Sequence, residues 1–385
     1  MTRTLGIAVF GHGGIARAHV SAVRRHAETF ADAPATGRVV VVVGRSAANA
    51  SGAAARLGVG RGTADWRAVL DDPSIDAVIN TAPNDLHAEP SIAALRAGKA
   101  VLCEKPLART SGEACAMARA ARESRRAAMT GFNYRFVPAV VLARRLLREG
   151  SVGRIYHFRA RYSDDSLLDA AAPFAWRHDR GAAGSGVVGD LAAHAIDLAH
   201  FLAGPIAAVT AAARTYTPAR LSGGTARPVT VEDAVVATLE FQGGALGTLE
   251  ASGMCPGRKN HLWFEINGER GTVVFDLERL NELRVYRGDG PACGLADVLV
   301  TERDHPYGGR WWPPGHMLGW EHTFVHQFEE FVRRIGDAGG ERVGATFDDG
   351  VASARVCDAL LLAAETGRRV PVEAAADPAP GAARA

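Results

Sequence analysis

Gly11-His12-Gly13-Gly14-Ile15-Ala16 follows the apolar run Leu5–Phe10 and opens the amphipathic stretch Ile15–Arg25. The hexapeptide fits G-x-G-x-x-[GA]. It stands where that pattern has a mechanism, between a first strand and a first helix. Gly11 permits the tight turn, and Gly13 lets a pyrophosphate approach the backbone. Gly14 and Ile15 begin the helix whose N-terminus faces the phosphates, with His12 beside them, and Ala16 allows close helix–strand packing. Outward from this point the chain alternates. Val39–Val43, five consecutive valines, reads as a strand buried on both faces. Asn49–Leu57 and Asp65–Leu70 read as helices, the latter capped by Asp65 or Thr63. Ala77–Asn80, Ala100–Cys103 and Ala128–Gly131 read as strands, with Pro90–Ala97 and Gly112–Arg122 as helices between them. Strand–helix alternation at this spacing predicts a doubly wound parallel sheet, an α/β dinucleotide-binding domain over residues 1–131.

Beyond residue 131 the rhythm changes. Helices are expected at Val137–Glu149, Asp190–Leu202, Trp320–Ile335 and Phe347–Glu365. Strands are expected at Ile155–Tyr162, Ala207–Tyr216, Ala234–Phe241, Gly247–Ala251, His261–Asn267, Gly271–Asp276 and Glu282–Arg287. Runs of strands after a βαβ half predict an antiparallel or mixed sheet in a second, α+β domain over residues 132–373. Residues 374–385 are Ala/Pro-rich and expected to be disordered.

Composition bounds the function. The chain has 385 residues, 47% hydrophobic and 22% charged, with formal net charge +2, which gives no electrostatic case for a nucleic-acid partner. No unbroken apolar run reaches the roughly 18 residues of a membrane span. The N-terminus lacks signal-peptide organisation, and five scattered cysteines form no C-x-x-C pair. A cytoplasmic protein with reduced thiols is expected. Of 44 basic residues only Lys99, Lys105 and Lys259 are lysines, which leaves 41 arginines. Lysine can lose a proton in ways arginine cannot, so each retained lysine is a candidate for chemistry.

Several further stretches carry chemistry. The second strand ends Val43-Gly44-Arg45-Ser46, where an NAD site usually places an acid on the ribose 2′-hydroxyl. Glycine makes room there, and Arg45 and Ser46 can bind a 2′-phosphate, so NADP is favoured over NAD. The turn Thr81-Ala82-Pro83-Asn84-Asp85-Leu86-His87 lies at the carboxyl edge of the sheet. Thr81, Pro83, Asn84 and His87 are cofactor candidates, and an ordinary helix cap is the alternative. Glu104-Lys105-Pro106 leaves another strand at the same edge. Lys105 can hold a reacting hydroxyl and, beside positive charge, transfer a proton; an ion pair with Glu104 is the bland alternative. Asp190 and His194, four residues apart, share one helix face. They can grip a hydroxyl, or serve as a cap and a core histidine. His316, His322 and His326 lack a carboxylate–histidine signature, so no metal is expected. The acidic loop Asp164–Asp169 can attract an aminated sugar, or be a solvated turn.

Gly11–Ala16, Thr81–His87, Glu104-Lys105-Pro106, Gly131-Phe132-Asn133-Tyr134-Arg135 and Asp190-x-x-x-His194 occur in this order over residues 4–370. Together they resemble the Gfo/Idh/MocA oxidoreductases. Trp176-Arg177 leading into Ala183–Gly186, then Gly257–Asn260 and His305–Gly308, look most like the levoglucosan dehydrogenase branch. The resemblance implies a Rossmann domain followed by an open, mostly antiparallel sheet that forms oligomer contacts, in a homodimer or homotetramer. It implies an NAD(P)-dependent dehydrogenase acting on a secondary hydroxyl of a sugar, anhydrosugar, cyclitol or sugar moiety of a glycoside. Lys105, Asp190 and His194 would be catalytic, with His194 the base. Glu104 and Asn133 join the cofactor set. Tyr134, Arg135, Tyr162, Asp164, Trp176 and Arg177 are substrate contacts. A glycosidase of this fold that retains its NAD, and a non-catalytic dinucleotide sensor, are the alternative readings.

Overall fold

A computed structural model describes residues 3–288, 293–340 and 342–372; the expected disordered tail, 374–385, lies outside them. The glycine turn sits where the sequence places it. It joins strand β1 (Arg3–Phe10) to helix α1 (Gly14–Thr29). Strands β2 (Ala35–Val43), β3 (Gly62–Thr63), β4 (Ala77–Asn80), β5 (Ala100–Cys103) and β6 (Ala128–Thr130) complete a six-stranded sheet in the order β3-β2-β1-β4-β5-β6. Every pairing is parallel. Helices α2 (Ala47–Leu57), α3 (Trp66–Asp71), α4 (Ala88–Arg96) and α5 (Ser111–Ser124) lie between these strands. The last three residues of the valine run and all of Ile7–Val9 are buried, as apolar strands covered on both faces must be. Asp65 caps α3 by accepting from Ala68 N at 3.0 Å.

The second half is built on a nine-stranded sheet. Helix α6 (Pro138–Arg148) leads into its central strand β7 (Ile155–Ser163). Next come the short helix α7 (Arg180–Ala183), a π-helical turn at Val188–Ala192, and helix α8 (Ala193–Ala203). Strand β8 (Ile206–Arg214) is followed by a separate hairpin, β9 (Ala219–Ser222) and β10 (Thr225–Pro228). The large sheet then takes β11 (Ala234–Phe241), β12 (Leu246–Ser252), β13 (His261–Gly268), β14 (Thr272–Asp276), β15 (Glu282–Arg287), β16 (Gly294–Leu299) and β17 (Val370–Pro371). Its order is β16-β15-β14-β13-β7-β12-β11-β8-β17. All its pairs are antiparallel except β7 with β12. Its inner face, Phe158, Leu249, Phe264 and Phe275 among others, forms one core with α8. The stretch Arg180–Ala203 is long and apolar enough by composition to cross a membrane, but it is mostly buried within this core.

Two late helices return to the first sheet. In α9 (His322–Ile335), Phe328 and Phe331 join the core of Leu5, Ile7 and Val42. Phe328 lies so close over β2 that a Cβ on Gly37 would sit 2.5 Å from its ring. In α10 (Phe347–Thr366), Phe347, Val351 and Ala354 pack with Val101 and Met117 on the other face. Residues 322–366 thus cover the sheet of the first 131 residues as well as their own.

Candidate active site

Parallel strands put all their carboxyl ends at one edge, and the ends of β1, β2, β4 and β5 converge there on one cleft. It holds about 850 Å³ and is closed on the other side by residues of the second half. Gly11, at φ +94°, has no room for a side chain: a Cβ would lie 2.6 Å from Thr81 O. At Gly13 and Gly14 a Cβ would meet nothing within 4 Å, so the backbone there is open to the cleft. The first turn of α1 has no side-chain cap and no acid, which leaves its N–H groups free for an anion. A bare, positively polarised helix start at the mouth of such a cleft fits an extended dinucleotide with its pyrophosphate there.

Of the expected cofactor residues, Gly11, His12, Gly13, Gly14, Ile15, Gly44, Arg45, Thr81, Pro83, Asn84, His87, Glu104 and Lys105 line this cleft. Arg45 is exposed, and none of the ion pairs among the described residues uses it. At Gly44 a Cβ would press on the Ala50 backbone at 3.1 Å. The other two expected cofactor residues are not on this lining. Ser46 caps α2, accepting from Asn49 N at 3.2 Å. Asn133 is buried off the cleft and donates to Thr323 Oγ1 at 3.0 Å. Asn84 lines the cleft, but its amide donates across it to Ala183 O at 2.9 Å. His87 is buried with both ring nitrogens 2.9 Å from carbonyl oxygens, of Pro106 and Ala82, so it braces the cleft floor. Glu104 accepts from or donates to the His19 ring at 2.8 Å and receives Lys105 N at 3.1 Å. The ion pair between Glu104 and the Lys105 ammonium does not form.

Instead, Lys105 reaches across the cleft. Its Nζ donates to Asp190 Oδ1 and to Asp190 O, each at 2.7 Å. The lysine side chain is mostly buried, while the aspartate's is half exposed to the cleft. Asp190 sits in the π-turn, not on a regular α-helix, and the adjacent lysine charge holds its carboxyl down at about 2. His194 lies behind it, buried, with rings of Phe132, Tyr134 and Tyr162 around it and Nδ1 without a hydrogen-bond partner among the described residues. Burial, and then the Lys105 charge, hold its imidazole well below the ordinary range, so it is neutral at pH 7. A carboxylate, an ammonium and a neutral imidazole therefore share one locus.

The expected substrate residues divide. Trp176 and Arg177 line the cleft, the guanidinium 4.4 Å over the indole. Tyr134 and Tyr162 do not. They are buried beside His194, hydroxyl to hydroxyl at 3.0 Å, and both bond Asn260, at 3.2 and 2.6 Å. Arg135 is also off the cleft: it forms a buried fork with Asp197, at 2.7 and 2.8 Å, and reaches Asp349 at 3.2 Å. Asp164 closes a turn by accepting from Ser166, and Asp165 pairs with Lys259. The acidic loop has thus spent much of its charge locally. Sequence reasoning missed Asn49, Trp66, Leu167, Ser185, Leu191, Glu232 and Asp233, which also line the cleft. Trp66 carried a signal, an aromatic at a helix start on the carboxyl edge. The others carried none, because only the fold brings their loops together.

The three distal histidines have separate tasks. His326 accepts from Trp311 Nε1 at 2.8 Å, bonds Phe136 O at 3.0 Å and stacks on Tyr307. His322 receives Gly319 N, and His316 bonds Pro313 O.

Comparison with known proteins follows the same outline. The sequence model described as "Oxidoreductase family, NAD-binding Rossmann fold" matches residues 5–132, and that of the "GFO/IDH/MocA C-terminal domain" matches residues 140–274. Levoglucosan dehydrogenase of Pseudarthrobacter phenanthrenivorans is 38% identical over 93% of this chain and 96% of its own. Inositol 2-dehydrogenase 2 of Saccharopolyspora erythraea is 32% identical over 98% of each. The solved structure of levoglucosan dehydrogenase in complex with NADH and L-sorbose superposes with a TM-score of 0.93 at 38% identity, covering 97% of this chain and all of that one.

Proposed function

This chain belongs to the GFO/IDH/MocA oxidoreductases, and on that premise we propose that it oxidises a secondary hydroxyl of a sugar, an anhydrosugar or a cyclitol with a nicotinamide dinucleotide as acceptor. The observation that carries the reading is the Lys105–Asp190 contact, which bridges the glycine-lined half of the cleft and the half walled by Trp176. The nicotinamide cofactor, when bound, supplies the hydride acceptor. The chain's own residues do the rest. His194, neutral, takes the hydroxyl proton. Lys105 donates to the same oxygen and steadies the charge that develops on it. Asp190 holds the ammonium in place. Trp176 offers an apolar face against which the ring of a pyranose or anhydrosugar packs.

NADP serves at least as well as NAD in this reading. No carboxylate stands at the end of β2, and Arg45 is a cation on that wall with no ion pair among the described residues. The outer face of the nine-stranded sheet exposes Val236, Leu246, Tyr286, Leu295 and Leu299, which fits its burial in a homodimer or homotetramer. Five free cysteines fit a reducing, cytoplasmic setting.

The test is an absorbance screen at nicotinamide wavelengths, with NAD and NADP against sugars, anhydrosugars, cyclitols and glycosides. One reduced cofactor per substrate consumed is expected. Turnover of a glycoside without net reduction of cofactor would replace this reading with the glycosidase.

A further inference from the structure

Glu232 lies on the cleft wall, 5% exposed, and takes no part in the chemistry above. It stands at the head of β11, on a segment that is itself fixed: Val231 O accepts from Thr215 Oγ1 at 2.8 Å, and Asp233 N donates to Arg214 O at 2.8 Å. From this base it makes two bonds to the segment opposite. Its backbone carbonyl accepts from Val187 N at 3.1 Å, and its carboxyl Oε1 accepts from Val188 N at 2.9 Å. The approach is close enough that a Cβ on Gly186 would fall 2.0 Å from Glu232 O. Val188 is the first residue of the π-turn that carries Asp190, and Asp190 N in turn bonds Gly186 O at 3.0 Å. The turn's other holds are Lys105 Nζ on Asp190 O at 2.7 Å, which is the contact to be positioned, and the soft approach of Cys357 Sγ to Val188 O at 3.8 Å.

We propose that Glu232 is a positioning residue: its carboxyl clamps the first turn of the segment that presents Asp190 to Lys105, and thereby sets the geometry of the proton-transfer group. The proposal rests on the reading of Lys105, Asp190 and His194 given above. The need for a clamp has a physical cause. A π-turn starts with orphaned N–H groups, and Val187 at its N-terminal flank provides no side-chain cap. Glu232 meets two of those donors from outside the helix. Its second oxygen, Oε2, is buried without a hydrogen-bond partner among the described residues, and burial raises the carboxyl above its ordinary range. The clamp therefore needs only one acceptor oxygen, which an amide also supplies.

Glu232→Gln and Glu232→Ala distinguish the possibilities, with Glu232→Asp as the shortened acid should the alanine variant fail to fold. Two readouts are taken. Hydrogen exchange of peptides spanning residues 186–194 needs no substrate. The second is kcat and KM for the sugar, with NADH affinity from tryptophan-sensitised fluorescence. Expected for Glu232→Ala, or Glu232→Asp, is faster exchange confined to 186–194, a kcat lowered about 10–100-fold and NADH affinity within about twofold, since a misplacement of about 1 Å can cost about 10²-fold. Glu232→Gln keeps wild-type exchange and a kcat within about threefold. Unchanged exchange in Glu232→Ala, or equal damage in Glu232→Gln, overturns the proposal. Should the wild type turn over no sugar while exchange follows the expected pattern, the clamp stands and the proposed function falls.

Discussion

At the scale of single residues, the locus depends on charges placed within one hydrogen bond of each other. Lys105→Ala and His194→Ala should each lower kcat by about 10²–10⁴-fold while NADH still binds, the usual cost of removing a positioned proton-transfer group. Initial rates and fluorescence titration check both, and near-normal turnover in His194→Ala would remove it as the base. Lys105→Ala has a second expected effect. The ammonium is the main reason the Asp190 carboxyl sits at about 2, so its loss lets that value rise and any acid limb of the pH–rate profile move upward. Arg45→Ala should reduce kcat/KM for NADP several-fold and leave NAD nearly untouched; equal losses for both cofactors would mean that Arg45 does not meet a 2′-phosphate. Lys105 and Arg45 could be placed beforehand because each follows a strand at the carboxyl edge of a parallel sheet, whereas His194, inside α8, was read from its spacing to Asp190 and from the family resemblance. Arg135 was not legible in this way. It stands next to genuine motif residues, but its partners Asp197 and Asp349 come from helices far along the chain.

At the scale of elements, that same arginine joins three of them. The fork from Arg135 ties the turn after β6 to α8 and to the start of α10. Burial already raises the Asp197 carboxyl to about 6 with Arg135 beside it, so Arg135→Leu leaves a buried carboxyl that must stay charged without its guanidinium or take up a proton, and a loss of about 3–5 kcal/mol is expected in urea denaturation above pH 7. A loss under about 1 kcal/mol would show that the carboxyl is neutral in the fold. The Asp190–His194 spacing illustrates the limit of periodicity. Four residues place two side chains on one face of an α-helix, whereas the chain inserts a π-turn here, which leaves Asp190 half exposed and His194 buried. No residue type announces that insertion. Strands β11 and β15 have the bounds their alternation predicts, while β9, β10 and the two-residue β17 are too short to show a pattern, and β16, Gly-Leu-Ala-Asp-Val-Leu, was missed although four of its six residues are apolar. Tyr134 and Tyr162 were expected at the substrate; Asn260, on the loop before β13, claims both hydroxyls.

At the scale of the whole molecule, buried neutral histidines make the fold sensitive to acid. His200 is held down to about 4 and His326 to about 3, each chiefly by burial. Unfolded, each titrates near 6.5. Between roughly pH 3 and pH 6.5 the unfolded chain therefore binds more protons than the folded one, and stability rises with pH across that window and is complete above it. The melting temperature should fall steadily as pH drops below about 6.5, and His200→Leu should flatten the fall; a flat profile in the wild type would show that these rings are protonated inside the fold. The helices α9 and α10 have an effect on a different axis, that of synthesis. The first sheet leaves the ribosome early, but Phe328, Phe331 and Phe347, which cover its two faces, come from the far end of the chain. At about 5–20 residues per second, on the order of tens of seconds separate the two. For that interval the nascent dinucleotide-binding half has its own helices α1–α5 on the sheet but lacks the Phe328, Phe331 and Phe347 share of its two cores, which is completed only when the last helices have emerged.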